Sequence, residues 1–214
     1  MLRYRPVSSI PIIRYNSVSC QEENEMKKET APKDKVFHTA ASLFYRHGYR
    51  AIGVDTLAAE SGIGKMTLYR HYPSKDDLIV AYLRDSNEIF WRNFEQITKD
   101  APTPREKLLA FFEGLQEYVT TPACHGCPFL NVATEYPETE YPGHQVAIEH
   151  KQSVRARFRQ LAREAGAKNP AALADQLFLL MDGAYMASRM FGAENPAAHL
   201  AEAARILIAS ACVP

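Results

Sequence analysis

Apolar residues recur at intervals of three and four from Asp34 onward, the spacing that is typical of α-helices with one buried face. In the first such segment the apolar positions are Val36, Phe37, Ala40, Ala41, Leu43 and Phe44. Gly48 follows this segment, at the place where a helix commonly ends. The pattern therefore predicts a first helix over residues 33–47.

Two short helical segments come next, each bounded by residues that interrupt helices. The first is closed by Gly62, and the second, over residues 65–71, is broken by Pro73. Ser74 then caps a long helix, because a serine hydroxyl can accept a hydrogen bond from a first-turn amide. Two aspartates follow in that first turn, where the helix dipole favours acidic side chains.

Prolines open most of the remaining helices, because proline fits the first helical turn but not the interior. The predicted helices are residues 104–120, a short segment beginning at Pro128, residues 144–165, residues 170–191 and residues 196–211. No segment alternates between polar and apolar residues for long enough to indicate a strand. We therefore predict an all-α protein with about nine helices.

The composition is that of an ordinary globular protein. Of the 214 residues, 46% are hydrophobic and 23% are charged, which excludes a mainly disordered chain or a collagen. Four cysteines are too few for a disulfide scaffold of this size and fit a reducing compartment. No run approaches the roughly 18 apolar residues of a membrane-spanning helix, so we predict no membrane partner and a bacterial cytoplasmic location.

Charge is unevenly distributed, although the net charge is zero. Residues 33–75 carry seven basic side chains against three acidic ones, whereas residues 76–214 carry 13 against 18. A basic segment on an acidic body is typical of a protein whose basic part meets a polyanion.

The first 30 residues show no long helical period, and Pro6 and Pro11 interrupt any amphipathic helix of the transit-peptide kind. No apolar core of a secretion signal is present either. Met26 opens the sequence MKKETAPKDKV, which has the form of a bacterial start. We interpret residues 1–30 as a flexible N-terminal extension, and it stays open whether residues 1–25 are translated natively.

Two short helices separated by a glycine-containing turn and preceded by a third helix form the helix-turn-helix arrangement. The first helix of the pair crosses the DNA backbone, and the second enters the major groove, which is wide enough for one helix. Gly62 and Gly64 suit the tight turn, and Ala58, Ile63 and Leu68 supply its small apolar interior.

The segment GVDTLAAESGIGKMTLYRHYPSKDDLIVAYL resembles the DNA-binding domain of the TetR/AcrR family of bacterial transcriptional regulators. The shared pattern is A-x-x-S-G-I-x-K-x-T-L-Y-x-H-Y-x-S-K-x-x-L, and the resemblance covers residues 33–83. It implies a helix-turn-helix domain over residues 31–78 and a helical ligand-binding and dimerisation domain over residues 79–214.

The resemblance also implies the function. The expected protein is a homodimeric, sequence-specific transcriptional regulator, a repressor that a small-molecule effector releases from a double-stranded DNA operator. It would have no enzymatic activity and no cofactor.

Seven DNA-contacting positions carry over from the family: Lys65, Met66, Thr67, Tyr69, Arg70, His71 and Lys75. Ammonium and hydroxyl donors suit phosphates, the Arg70 guanidinium can read a guanine edge, and the Met66 side chain can touch a thymine methyl group. The neighbouring Leu57, Leu68 and Tyr72 are expected in the core. Family members often have Ser or Thr where this chain has Gly53 and Gly64, so a hydroxyl that would bind phosphate is lost.

A dimer is expected because a single helix-turn-helix makes few contacts, whereas two copies read two half-sites. The family implies a four-helix interface formed by the last two helices, whose small residues allow close packing. The residues that suit this interface are Leu173, Leu177, Leu180, Met181, Ala184, Ala187 and the alanine-rich segment 197–209. The alternative is that these helices only close the core of the protomer.

An effector pocket is expected among the helices between residues 104 and 191. The candidate lining residues are Phe111, Phe112, Leu115, Tyr118, Cys127, Phe129, Glu135, Met181, Tyr185 and Met186. Asn131 and His150 are, like Glu135, candidates for polar contacts with the effector. Each of these residues could instead be plain core.

Cys124 and Cys127 form a CxxC in the sequence CHGCPF, and Cys127 falls at a helix start, where backbone amides and the helix dipole lower the pKa of a thiol. Three interpretations stay open. The segment is a packed loop, a redox or electrophile sensor that forms a disulfide, or a zinc site completed by His125, His144 or His150. Since there is no second CxxC, we assign no metal.

Two other classes of protein compete with the regulator. One is a dithiol oxidoreductase built on CHGC, which the absence of a βαβ pattern disfavours. The other is a dimer whose DNA-binding domain has become a scaffold, which the intact Lys65, Thr67, Tyr69 and Lys75 disfavour.

Overall fold

The computed structural model describes residues 31–212, so the predicted extension over residues 1–30 lies outside the described residues. Between residues 31 and 212 the chain forms nine α-helices, one short 3-10 helix and no strand, which confirms the predicted all-α fold. The helices are α1 (Pro32–His47), α2 (Val54–Ser61), α3 (Lys65–His71), α4 (Lys75–Thr98), α5 (Pro104–Val119), α6 (Pro128–Glu135), α7 (Pro142–Glu164), α8 (Pro170–Phe191), the 3-10 helix (Pro196–His199) and α9 (Leu200–Ala211).

Contacts within the chain group the described residues into two units. The N-terminal unit consists of residues 31–89 and His125–Val154, and the C-terminal unit consists of Phe90–Cys124 and residues 155–212. Helices α4 and α7 each begin in the N-terminal unit and end in the C-terminal unit.

In the N-terminal unit, α1 packs against α2 and α3. Val36, Ala40 and Phe44 of α1 are completely buried, as their helical spacing predicts. The Ser74 hydroxyl accepts a hydrogen bond from the Asp77 amide at 3.0 Å, which confirms the predicted start of α4. These contacts hold α2 and α3 on one side of α1.

The C-terminal unit is built around a cluster of aromatic rings. Phe90, Phe94, Phe111, Phe112 and Phe158 lie with their neighbouring ring centroids 5.2–6.4 Å apart. All five side chains are buried. Such aromatic pairs stabilise a core beyond the area they bury. Helix α5 carries two of these rings and also packs against α8 and α9.

The last predicted helix is divided, because its first turn is a 3-10 helix. In a regular α-helix the Ala201 amide would donate to the Ala197 carbonyl. Here the Ala201 amide donates to Gln116 Oε1 at 2.9 Å, and the Ala197 carbonyl accepts from the Leu200 amide. A side chain from α5 thus takes the place of the carbonyl that a regular α-helix would use, and the turn tightens.

None of the helices between residues 31 and 212 is both long and apolar enough to cross a bilayer.

Candidate nucleic-acid interface

Helix α3 has one buried side and one side that faces solvent. Leu68 is completely buried, as is Leu57 of α2, and Tyr72, directly after α3, is also buried, as predicted. Because α3 is only seven residues long, these anchors determine which of its side chains point outward.

The turn between α2 and α3 depends on Gly62. Its φ of 66° is in the left-handed region, which a glycine adopts without the cost that a side chain imposes. The Gly62 amide donates to the Ala59 carbonyl and the Ile63 amide donates to the Ala58 carbonyl, which together form a Schellman motif. This motif ends α2 and directs the chain into α3.

The outward side of α3 presents four of the seven predicted DNA-contacting residues. Met66 is 86% exposed and Tyr69 is 45% exposed, and Lys65 and Arg70 are exposed as well. An apolar side chain as exposed as Met66 gains nothing from the fold of the protomer itself. It is therefore available for contact with another molecule.

The other three predicted DNA-contacting residues are only half-exposed. Thr67 and Lys75 are in this class, and burial lowers the pKa of Lys75, partly opposed by the charges of Asp76 and Glu135. His71 is half-buried too, and its Nε2 atom is shielded from solvent without a hydrogen-bond partner.

Lys65 at the start of α3 forms an ion pair with Asp55 of α2. A hydrogen bond from the ammonium to this carboxylate, together with its charge, raises the pKa of Lys65. Both side chains are more than half exposed, so the pair links two surface helices without stabilising them strongly. The Lys65 ammonium stays at the surface.

The two glycines that depart from the family pattern directly precede α2 and α3. Gly53 and Gly64 have extended backbones, and no side chain caps either helix. A Cβ atom at either position would meet nothing within 4 Å.

The CHGC loop (residues 124–127) and the first residue of α6 are held by two tyrosines of the N-terminal unit. The Tyr45 hydroxyl accepts from the His125 amide at 3.0 Å and donates to the Gly126 carbonyl at 3.2 Å. The Tyr49 hydroxyl donates to the Pro128 carbonyl at 2.9 Å. Sequence reasoning missed these tyrosines, because about 80 residues separate each from its partner and no local pattern marks a buried hydroxyl.

The cysteines of the CHGC loop are buried. Cys127 is the residue before α6 and is 2% exposed, and Cys124 is 5% exposed. No disulfide occurs between residues 31 and 212. Within the same range no three His, Cys, Asp or Glu side chains are grouped closely enough to hold a metal ion.

Glu135, a predicted pocket residue, is engaged by backbone amides. Its Oε1 accepts from the Tyr49 amide at 3.0 Å, and its Oε2 accepts from the Arg50 amide at 2.7 Å. Both amides lie in the loop after α1, so this carboxylate connects the end of α6 to the helix-turn-helix.

His150 and Asn131, the other predicted polar contacts, also have partners within the N-terminal unit. The His150 ring stacks on Phe129 with 3.7 Å between centroids, and its Nδ1 lies 2.8 Å from Asn87 Oδ1. Burial, with a smaller contribution from the charge of Lys151, lowers the pKa of His150 to about 2. Asn131 donates to the His125 carbonyl at 3.3 Å.

The remaining predicted pocket residues lie in the C-terminal unit, whereas Cys127, Phe129 and Glu135 lie in the N-terminal unit. The residues that are buried there are Phe111, Phe112, Leu115, Tyr118, Met181 and Tyr185. Met186 is 38% exposed on α8. An open groove of about 730 Å³ in the C-terminal unit is lined by other side chains, among them Gln116, Phe191 and Asn195.

The predicted interface residues on α8 divide by burial. Leu173, Leu177, Met181 and Ala184 are buried within the protomer, while Leu180 and Ala187 are half-exposed. Among the described residues, seven large hydrophobic side chains are exposed: Met66 and Tyr69 on α3, Leu179, Met186, Met190 and Phe191 on α8, and Ile206 on α9. The large hydrophobic side chains exposed in this part of the chain thus lie on α3 and on the last two α-helices.

Both parts of this architecture occur in known transcriptional regulators. Residues 36–82 match the family model of bacterial regulatory proteins of the tetR family, and residues 104–204 match that of the tetracyclin repressor-like C-terminal domain. The structure of SCO4454, a TetR-family transcriptional regulator from Streptomyces coelicolor, superimposes with a TM-score of 0.81 at 26% identity, covering 85% of this chain and 96% of that chain.

A TetR-type transcriptional regulator from Streptomyces avermitilis superimposes with a TM-score of 0.77 at 32% identity, covering 85% of this chain and 98% of that one. The repressor KstR2 from Mycolicibacterium smegmatis is 32% identical over 80 residues, which is 37% of this chain and 39% of KstR2. These relatives are transcriptional regulators. The chain belongs to the TetR family of bacterial transcriptional regulators, which bind DNA through a helix-turn-helix.

Proposed function

We propose that this regulator represses transcription as a homodimer, with α3 of each protomer in the major groove of an operator. The observation that carries the proposal is the two-sided character of α3. Leu68 is buried completely, whereas Met66 and Tyr69 are exposed although they are apolar or aromatic. Lys65 and Arg70 share the exposed side, and their positive charge suits the polyanion.

The seven predicted DNA-contacting residues have different roles in this proposal. Lys65, Thr67, Tyr69 and Lys75 would bind phosphates and set the register of the protein on the duplex. Arg70 would read a guanine edge and Met66 a thymine methyl group. The shielded ring of His71 makes it the weakest of the seven candidates.

The proposed dimer forms through α8 and α9. Leu179, Met186 and Met190 are exposed at spacings of seven and four residues, which places them on one side of α8. Ile206 of α9 is 60% exposed. The interface would thus use these outward residues, while the apolar residues between them close the core of the protomer.

Effector binding would reduce the affinity for the operator by favouring a conformation whose recognition helices no longer fit adjacent major grooves. Ligand-responsive repression is typical of the family. The buried aromatic residues of α5 and α8 remain the proposed lining of the effector site.

The test is binding to DNA that the protein itself selects from a pool of random duplexes, measured by fluorescence anisotropy. A variant carrying Tyr69→Ala and Lys75→Ala should lose most of the affinity, and its binding should depend less on salt because a phosphate contact is removed. Lys99→Ala, which removes an exposed lysine directly after α4, serves as the matched control.

A separate arm repeats the wild-type binding in the presence of a thiol oxidant. Release of DNA by the oxidant would favour thiol sensing through Cys124 and Cys127 over a pocket ligand. If the wild-type protein enriches no sequence from the random pool, the proposal of DNA recognition by α3 is wrong.

A further inference from the structure

Glu135, the last residue of α6, binds backbone amides that lie far from it in the sequence. Its two carboxylate oxygens accept hydrogen bonds from two consecutive backbone amides, those of Tyr49 and Arg50. These amides begin the loop that leads from α1 into α2. Hydrogen bonds to a charged acceptor are about twice as strong as neutral ones, so the carboxylate holds this loop firmly.

Gly48 makes this close approach of the carboxylate feasible. Its φ is 87°, a conformation that favours glycine, and a Cβ atom there would lie 2.6 Å from Glu135 Oε1. Any larger residue would strain the backbone and also push the carboxylate away. The contact therefore depends on two residues 87 positions apart in the chain.

The start of α6 is fastened to the same part of the molecule. The hydroxyls of Tyr45 and Tyr49 bind the Gly126 and Pro128 carbonyls. With Glu135 at the opposite end, this helix of eight residues is bound at both ends to α1 and the loop after it. All of these residues belong to the N-terminal unit.

A second set of contacts extends the connection to the start of α4. The Arg50 guanidinium lies 4.8 Å from the centroid of the Tyr136 ring, and Tyr136 stacks on Tyr141 with 4.1 Å between centroids. The Tyr141 hydroxyl donates to Asp76 at 2.8 Å. The chain just after α6 thus contacts both the loop before α2 and the helix that follows α3.

We propose that Glu135 is a positioning residue for DNA recognition. It sets the loop between α1 and α2, and so the orientation in which α2 and α3 meet the operator. The inference rests on the proposed function, since an orientation for DNA matters only if α3 binds DNA.

If Glu135 acted on DNA binding only through its charge, removing that charge would raise the DNA affinity, whereas the loss of a positioning residue would lower it. The carboxylate is close enough to Lys75, a proposed phosphate contact, for its charge to act on that ammonium. If Glu135 only repelled phosphates, neutralising it would tighten DNA binding. Positioning and repulsion therefore differ in the sign of the effect.

The experiment compares Glu135→Gln with Glu138→Gln, which makes the same change of charge at an exposed residue three positions further along. Both are measured by fluorescence anisotropy on duplexes that the wild-type protein has selected from a random pool. Glu135→Gln should weaken binding by up to roughly tenfold, the change expected if the whole free energy of one charge-assisted hydrogen bond were lost only from the DNA-binding conformation. The salt dependence should stay unchanged, because no phosphate contact is lost.

Hydrogen exchange measures whether the loop after α1 is loosened in the variant, which a loss of DNA affinity alone does not show. In Glu135→Gln the amides of Tyr49 and Arg50 should exchange faster, while peptides from the C-terminal unit keep wild-type rates. Gly48→Ala disturbs the same contact from the other side and should also weaken binding; it replaces Glu135→Gln if that variant does not fold.

Three outcomes are decisive. Weaker binding with an unchanged salt dependence and faster local exchange supports the proposal. Equal or tighter binding by a folded Glu135→Gln or Gly48→Ala overturns it. If the wild-type protein selects no DNA, the proposed function itself fails, which is distinguishable from a failure of this inference.

Discussion

At the scale of the residue, Tyr45 shows how one hydroxyl can organise a loop. It accepts from the His125 amide and donates to the Gly126 carbonyl, so a single buried group satisfies two backbone groups of the CHGC loop. Buried backbone groups that lose their partners are costly, because water cannot replace the lost hydrogen bond.

Tyr45→Phe should therefore destabilise the protein by about 1–3 kcal/mol, the cost of leaving a buried donor unsatisfied. In thermal unfolding this corresponds to a lower midpoint by about 2–4 °C for each kcal/mol in a chain of this size. Tyr69→Phe removes an exposed hydroxyl instead and should leave the midpoint unchanged. Equal midpoints for wild type and Tyr45→Phe would contradict this role of the hydroxyl.

The buried imidazole of His150 makes the stability of the protein depend on pH. Its pKa is lowered to about 2 in the folded protein by burial, against an ordinary value of about 6.5 in an unfolded chain. Below about pH 6.5 the unfolded state takes up a proton that the folded state does not bind. The contribution of this group to stability is therefore complete above that pH and is lost progressively as the pH falls towards 2.

His150→Gln should reduce the loss of stability between pH 6.5 and 4.5 by up to about 1.4 kcal/mol per pH unit, the effect of one proton. The measurement is urea denaturation at a series of pH values. His199→Gln, which removes an exposed histidine instead, is the matched control. A parallel pH dependence for wild type and His150→Gln would show that His150 does not titrate differently in the two states.

At the scale of the element, α3 starts without a side chain that caps its first turn. Gly64 precedes the helix with an extended backbone and no capping side chain, and the space around its Cα is open. A serine would fit this backbone and could accept a hydrogen bond from a first-turn amide. Its hydroxyl would also lie near the surface that we propose for DNA phosphates.

Gly64→Ser should stabilise the protein by a few tenths of a kcal/mol and tighten binding to selected DNA by about two- to tenfold. Gly64→Ala is the matched control, because it removes the same backbone freedom without adding a hydroxyl. Denaturation and anisotropy measure the two effects. If Gly64→Ala tightens DNA binding as much as Gly64→Ser does, the hydroxyl is not responsible.

At the scale of the whole molecule, the exposed apolar side chains of α8 and α9 are not needed for the fold of the protomer, and we propose that they form the dimer interface. Leu179 and Met190 are each about two-thirds exposed, so the protomer does not need them for its own core. Burial of apolar area between two copies would stabilise a dimer by about 25 cal/mol per Å² before the costs of association.

A variant carrying Leu179→Glu and Met190→Glu should remain folded but sediment as a single chain. It should also bind a two-half-site operator much more weakly than the wild-type dimer does. Gln152→Glu, which adds a carboxylate at an exposed position of α7, should stay dimeric. A dimer that survives the double substitution would place the interface elsewhere.

How far the sequence predicts the site depends on the range of the interactions involved. The ends of α2, α3 and α6 and the outward side of α3 follow from glycines, prolines and apolar spacing within a few residues. The prediction that Glu135 and His150 make polar contacts with an effector rests on residue type alone. Both have partners in other elements, which the spacing of residues does not reveal.

The sequence by itself determined the helical fold, the helix-turn-helix and the family, because helix signals are local and the motif occupies consecutive positions. Only the tertiary structure decided that Glu135 binds the loop after α1, that Tyr45 and Tyr49 hold the CHGC loop and the start of α6, and that Gln116 tightens the turn before α9. The physical reason is that these hydrogen bonds join groups about 80 or more residues apart. Their formation depends on how whole helices pack, and no short segment carries that information.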